Sequence, residues 1–155
     1  MLIAVFSDTH GSCGGMLAAA RRVRPDVLVH LGDHLRDARC LRSEFPDIPL
    51  YAVPGNCDYN SREPDSVIFL AGPVTVFAAH GHRYGVKVSL DSLLCSAHCA
   101  GASLVLFGHT HTPLVREVGG IKIMNPGSAG TGLKPTFGVV EIGEGGGFIC
   151  RIMDI

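Results

Sequence analysis

The chain has no basic run: its 13 Lys and Arg residues are set against 14 Asp and Glu, for a net charge of -1. That argues against non-specific nucleic-acid binding as the main activity, and a positive field at any site has to come from something other than side chains, such as metal. No apolar stretch approaches the roughly 20 residues that a membrane span requires. Met1 leads within a few residues into the polar Ser7-Asp8-Thr9-His10, which leaves no room for a signal peptide. Repeats, low-complexity tracts and linkers are also missing, so one domain over residues 1–155 is expected. The six cysteines lack the spacing of paired metal knuckles, and without a sign of export they read as free thiols in a reducing cytoplasm. Cys95, His98 and Cys99 share helical spacing, but small buried thiols in a helix account for them better than a metal does.

What is present is apolar and regularly punctuated. Hydrophobic residues make up 46% of the chain, enough for a substantial core. Residues 2–6 read as a buried strand and residues 16–23 as an Ala-rich helix. The unit then recurs, with a strand over 27–31, a helix over 35–45 and a strand over 50–53. Strand and helix in alternation predict a parallel sheet. Strands are expected at 66–70, 74–79 and 103–107, with a helix at 90–100, and then the character changes. Residues 114–118, 121–124, 137–142 and 148–153 are short strands between Gly-rich turns and predict a β meander. A mixed α/β protein with two sheets packed face to face accommodates both halves.

The informative pattern lies where apolar strands hand over to loops. Five strand ends carry Asp8-Thr9-His10, Gly32-Asp33, Gly55-Asn56-Cys57-Asp58, His80-Gly81-His82 and Gly108-His109-Thr110-His111. Open α/β sheets place their sites at the carboxyl edge, where these loops should converge. Two divalent metals need a bridging carboxylate, further oxygen or imidazole ligands, and open positions for water. Asp8, His10, Asp33, Asn56, His80, His109 and His111 meet that need, and a glycine before Asp33, Asn56 and His109 lets the backbone come close. Neither Ser7 nor Ser128 lies in a Gly-x-Ser-x-Gly elbow, and Tyr84-Gly85 stand where a metallo-β-lactamase motif requires Asp-His.

These five motifs, followed by Asn125-Pro126-Gly127-Ser128, resemble those of the calcineurin-like metallophosphoesterases. The length and the Gly-Asn-Cys-Asp form are similar to the small single-domain bacterial and archaeal phosphodiesterases of that superfamily. The resemblance implies a four-layer αββα sandwich with two mixed sheets and a site at the carboxyl ends of the strands. It implies that Asp8, His10, Asp33 and His111 hold one metal and that Asp33, Asn56, His80 and His109 hold the other, with Asp33 as the bridge. The cofactors are then two divalent ions, with manganese first and nickel, iron, zinc or magnesium as alternatives. A bridging hydroxide would attack phosphorus in line. His10, Asn56 and His82 are the expected catalytic residues, His82 for phosphate contact or proton delivery unless it only braces the His80 loop.

The chain departs from many relatives in one place. Cys57 stands where they carry a histidine able to protonate the leaving group, and a thiol near its ordinary pKa is a poor acid. This favours diesters over monoesters and leaves phosphomonoesterase as the alternative activity. A retromer subunit resembles the same family and acts as a scaffold, but the seven intact donors here favour an enzyme acting on a small phosphate ester. A homo-oligomer is compatible with the pattern. His30, His34 and His98 lie outside the ligand set and are expected to be structural.

Overall fold

The computed structural model describes residues 1–155. Strand β1 (Leu2–Phe6) is apolar at every position because both of its faces are covered. Ile3 and Val5 enter one core cluster and Ala4 and Phe6 another, the two-residue alternation of a strand. There follow α1 (Cys13–Val23), β2 (Val27–His30), a 3-10 turn (Leu35–Asp37) running into α2 (Ala38–Glu44), and β3 (Leu50–Ala52). Next come β4 (Ser66–Ala71), β5 (Val74–Ala79), α3 (Asp91–Cys99), β6 (Leu104–Phe107), β7 (Leu114–Val118), β8 (Ile121–Asn125), β9 (Thr136–Ile142) and β10 (Phe148–Asp154).

The strands form two five-stranded sheets, ordered β10-β9-β1-β2-β3 and β4-β5-β6-β8-β7. In the first, β1, β2 and β3 run parallel and β9 is antiparallel to β1. In the second, β5, β6 and β8 run parallel, with β4 and β7 antiparallel at the edges. Val5, Val29, Leu31 and Val53 from one sheet meet Val76, Ala78, Leu104 and Leu106 from the other in the central core. The outer face of the first sheet packs Phe6 and Leu28 against Met16, Ala19 and Ala20 of α1 and Leu41 of α2. On the other side Phe77, Val105 and Phe107 pack against Leu93 and Ala97 of α3. Helices, sheet, sheet, helix: the order is the four-layer αββα arrangement, and hiding each large side chain contributes about 1.5–3 kcal/mol.

Four expectations need correction. The C-terminal strands are not one meander, because β7 and β8 pair in one sheet while β9 and β10 pair in the other. The predicted helix over 35–45 is divided, its first turn tightening to 3-10 where the Asp37 carboxylate accepts the Gly11 N–H at 2.7 Å. Cys13 and Cys40 are not free thiols but a disulfide, with Cα atoms 6.5 Å apart. It ties α1 to α2 where both cover the same sheet. Cys95 and Cys99 are exposed, not buried, because Leu93 and Ala97 occupy the opposite face of α3 and take the sheet contact. No helix is long and apolar enough to cross a membrane.

Candidate metal centre

The parallel strands β1, β2, β3, β5 and β6 all deliver their carboxyl ends to one edge, and the five polar motifs stand there together. These strand ends are not consecutive in the chain. Strand β4 runs antiparallel to β5 and finishes at the opposite edge, which explains why Gly72-Pro73 carries no donor.

Donor atoms of Asp8, His10, Asp33 and His111 lie within 4.8 Å of one another. His111 Nε2 is 3.0 Å from Asp8 Oδ1, and His10 Nε2 is 3.5 Å from His111 Nε2 and 3.9 Å from Asp33 Oδ2. Across Asp33, His80 Nε2 stands 3.5 Å from Asp33 Oδ1 and 3.2 Å from Asn56 Oδ1. The His109 ring lies 5.0 Å from the His80 ring, centroid to centroid. The two oxygens of Asp33 thus face different groups of donors.

These contacts suit a cation and little else. His80 Nδ1 is 2.6 Å from the Leu31 carbonyl and donates its proton there, so the neutral ring aims the Nε2 lone pair at Asn56 Oδ1, Asp33 Oδ1 and, at 4.0 Å, Asp8 Oδ1. All are acceptors. Asp8 is fully buried, yet its Oδ1 makes no hydrogen bond despite the nearness of His111. Converging lone pairs in a buried site repel unless positive charge sits among them, so the donor set fits divalent metal.

The backbone is bent to this purpose. Asp8, His10, Asp33, His109 and His111 all adopt positive φ, between 46° and 69°. That conformation is uncommon outside glycine and stores strain at each position. Glycine is needed beside the donors for close approach: a Cβ on Gly55 would strike the Asp33 carboxylate, and one on Gly108 would strike Ser7 Oγ and Asp8 Oδ2.

A surrounding ring of hydrogen bonds holds the donors, and the sequence reading missed most of it. Ser7 Oγ donates to Asp8 Oδ2, and Ser128 Oγ donates to the Asp8 carbonyl at 2.8 Å, so both serines orient Asp8. Asn125 is fully buried and donates to Gly108 O (2.8 Å) and Thr110 Oγ1 (3.0 Å), pinning the loop that bears His109 and His111. Asp58 accepts from Leu35 N (2.7 Å) and Gly55 N (2.8 Å), tying the second loop to the third. His34, expected to be merely structural, stands edge-on to His10 with ring centroids 5.5 Å apart and a buried Nδ1 that has no partner. His30 is fully buried between the Gly32 N–H and Thr9 Oγ1, and His98 is exposed on α3. Each missed residue flanks a donor in sequence or closes its loop, which is the only signal available for it.

Electrostatics follow burial. Burial alone would raise the Asp33 carboxyl, but the Cys57 N–H bond (2.9 Å) and the nearby His80 outweigh it and hold it below its ordinary range. Burial, then the neighbouring His80 and Lys87, lowers His109 to about 4. Burial lowers His30 to about 4 as well. His82 is lowered by burial and by His80, and its Nδ1 is buried without a partner. Burial and the Asp33 charge push the Cys57 thiol up, so it keeps its proton.

Comparison with known proteins agrees with this picture. A probable metallophosphoesterase of Bacillus subtilis is 31% identical over 131 residues, covering 83% of this chain and 75% of its own. Among solved structures, Vps29 of Entamoeba histolytica in complex with zinc superposes with a TM-score of 0.77 at 20% identity, covering 99% of each chain. An archaeal protein described as a novel phosphodiesterase superposes with a TM-score of 0.74 at 22% identity, covering 99% of this chain and 100% of its own. Residues 1–145 match the calcineurin-like phosphoesterase superfamily domain, and the chain therefore belongs to that superfamily.

Proposed function

We propose that this protein, as a single domain over 1–155, hydrolyses phosphodiesters at a binuclear metal centre. Asp8, His10, Asp33 and His111 would hold one ion and Asp33, Asn56, His80 and His109 the other. The observation that carries this reading is the placement of Asp33, with Oδ2 toward His10 and Oδ1 toward His80. When bound, two divalent ions supply Lewis acidity and an activated water for in-line displacement at phosphorus. We take manganese as the first candidate, with nickel, iron, zinc and magnesium as alternatives.

The residues around the ions divide the remaining work. Asn56 is exposed at the lip of the centre, with Oδ1 3.2 Å from His80 Nε2 and its amide nitrogen 3.5 Å from Cys57 Sγ, and His10 is half-buried 3.9 Å from Asp33 Oδ2. His82 lines the adjoining cavity together with Asn56. Its place in that cavity wall supports contact with the phosphate over bracing of the His80 loop. Cys57 carries a proton but, with its pKa pushed up by burial and Asp33, gives it up too reluctantly to replace a histidine as leaving-group acid, which favours diesters with good leaving groups. The four remaining free cysteines, three of them exposed, are what supports a cytoplasmic location, and the Cys13–Cys40 disulfide counts against it.

The test is to strip the protein of metal, add back single divalent ions and compare a chromogenic diester with the matching monoester. Faster diester turnover with at least one ion is expected. Faster monoester cleavage would replace the diesterase reading with a phosphomonoesterase. Inactivity with every ion would favour a scaffold, the second reading that the likeness to Vps29 brings.

A further inference from the structure

One large cavity does not lie over the donor cluster. It occupies about 720 Å³ beside it, between α2 and the segment that follows β3. Arg36, Arg39 and Arg42, spaced three apart, line one side, and Arg62 lines the other. All four are exposed, while the arginine ion pairs of the chain are made by Arg21, Arg83 and Arg151. The carboxylates of the cavity are those of Asp58 and Glu63, and both Asp58 oxygens are committed to backbone N–H groups. The even charge balance predicts no positive field from side chains, and the fold corrects that expectation: four guanidinium groups without an ion pair, Arg42 donating only to the Leu50 carbonyl at 3.5 Å, gather around one cavity.

The cavity joins the centre through Tyr59. Residues Asp58, Tyr59, Asn60 and Ser61 form one wall of it and also one wall of the 460 Å³ cavity that contains Asn56 and His82. Tyr59 is 86% exposed, with no ring stacked on it. A molecule spanning both cavities would run along the wall of residues 58–61 that carries that ring. Guanidinium groups recognise phosphate through paired N–H donors, and an exposed aromatic ring offers a stacking face to a base. The volume is that of a nucleotide-sized site.

We infer that the arginine cavity binds a second phosphate of the substrate, so that the substrate class is a small nucleotide-type phosphodiester bearing a further phosphoryl group. The inference rests on the diesterase reading above and supplies its specificity. Attraction from the four arginines places the non-reacting phosphate, and the scissile one falls over the donors of the centre.

Binding to metal-free protein tests this apart from catalysis. Adenosine 3′,5′-bisphosphate and adenosine 5′-monophosphate are titrated calorimetrically at low salt. The bisphosphate is expected to bind at least about tenfold more tightly. The double variant R39E/R42E is expected to erase that gap while leaving metal-supported hydrolysis of bis(p-nitrophenyl) phosphate unchanged. Should that variant misfold, R36Q/R62Q takes its place with a smaller but measurable loss. Equal affinity for the two nucleotides, or a gap that survives in the folded variants, overturns the inference. Tighter binding of a short oligodeoxyadenylate than of the bisphosphate overturns the small-molecule assignment. Failure to hydrolyse the simple diester with any ion sinks the diesterase reading instead, and leaves the binding gap as an independent result.

Discussion

Ile3 and Asp8 are equally hidden from solvent, five residues apart on one strand and its loop, and they are hidden for opposite reasons. Around Ile3 the backbone is regular, every neighbour is apolar, and removal from water is itself the stabilising event. Around Asp8 the backbone turns left-handed, Oδ2 accepts from Ser7 Oγ and the His109 N–H while Oδ1 faces only lone pairs, and burial of that oxygen costs free energy until a cation arrives. The inter-sheet core is complete in the chain as it stands. The carboxyl edge is built for something the chain does not itself contain, and the sandwich carries the strain of keeping it ready.

Mutations at the two regions should therefore separate cleanly. The largest effect belongs to the centre: Asp33→Ala is expected to abolish turnover and also the rise in melting temperature on adding manganese. That rise is worth about 4 kcal/mol for wild type at a thousandfold excess over Kd. A calorimetric scan in which the variant still gains the full shift would break the bridging role. In the core, Leu104→Ala should cost about 2–5 kcal/mol, read from the urea midpoint, and leave the metal-induced shift intact. Loss of that shift in a folded Leu104 variant would show that the two regions are not separable.

The buried His30 sharpens the comparison through pH. Its folded pKa lies near 4 against 6.5 ordinarily, so below pH 6.5 the unfolded chain takes up a proton that the folded one refuses. Stability should fall as pH drops from 6.5 toward 4, by up to about 3 kcal/mol from this residue. Urea midpoints at neutral and acid pH measure it, and His30→Gln should flatten the slope; an unaltered slope would remove His30 from the account. Asn125→Ala releases the loop of His109 and His111 and is expected to weaken metal affinity by about 10–100-fold, measured by competition with a chelating dye. Affinity equal to wild type would mean that the loop needs no brace. Least of all, Glu44→Ala removes an exposed pair with Arg21 (2.7 Å) and should change stability by less than about 1 kcal/mol. A larger loss on denaturation would show that the helix layer depends on surface charge.

The donors were legible in the sequence because no structural role calls for Asp, Asn and His at the ends of five strands. The strands themselves were legible because burial on both faces writes a continuous apolar run, as in β1 and β6. Sheet membership was not. The strands β7 to β10 carry the same local signal in either sheet, and only long-range pairing sends β8 to β6 and β9 to β1. Cys13 and Cys40 stand 27 residues apart on helices whose packing no local pattern records. The supports Ser7, Asn125 and Ser128 are ordinary polar residues, and their work shows only once the loops they join are side by side.

The left-handed donor positions have one further consequence, for how such a protein changes over generations. Each non-glycine residue held there costs on the order of 1–2 kcal/mol relative to relaxed backbone, so replacing a donor by glycine relieves strain as it removes a ligand. Losing such a donor is thermodynamically downhill for the metal-free chain, and keeping it is uphill unless metal binding offsets the cost. A lineage freed from selection for catalysis would drift toward a sturdier, inert body of the same shape, available for assembly with other proteins. The five left-handed positions at Asp8, His10, Asp33, His109 and His111 are in that sense a standing cost that the fold carries for its carboxyl edge.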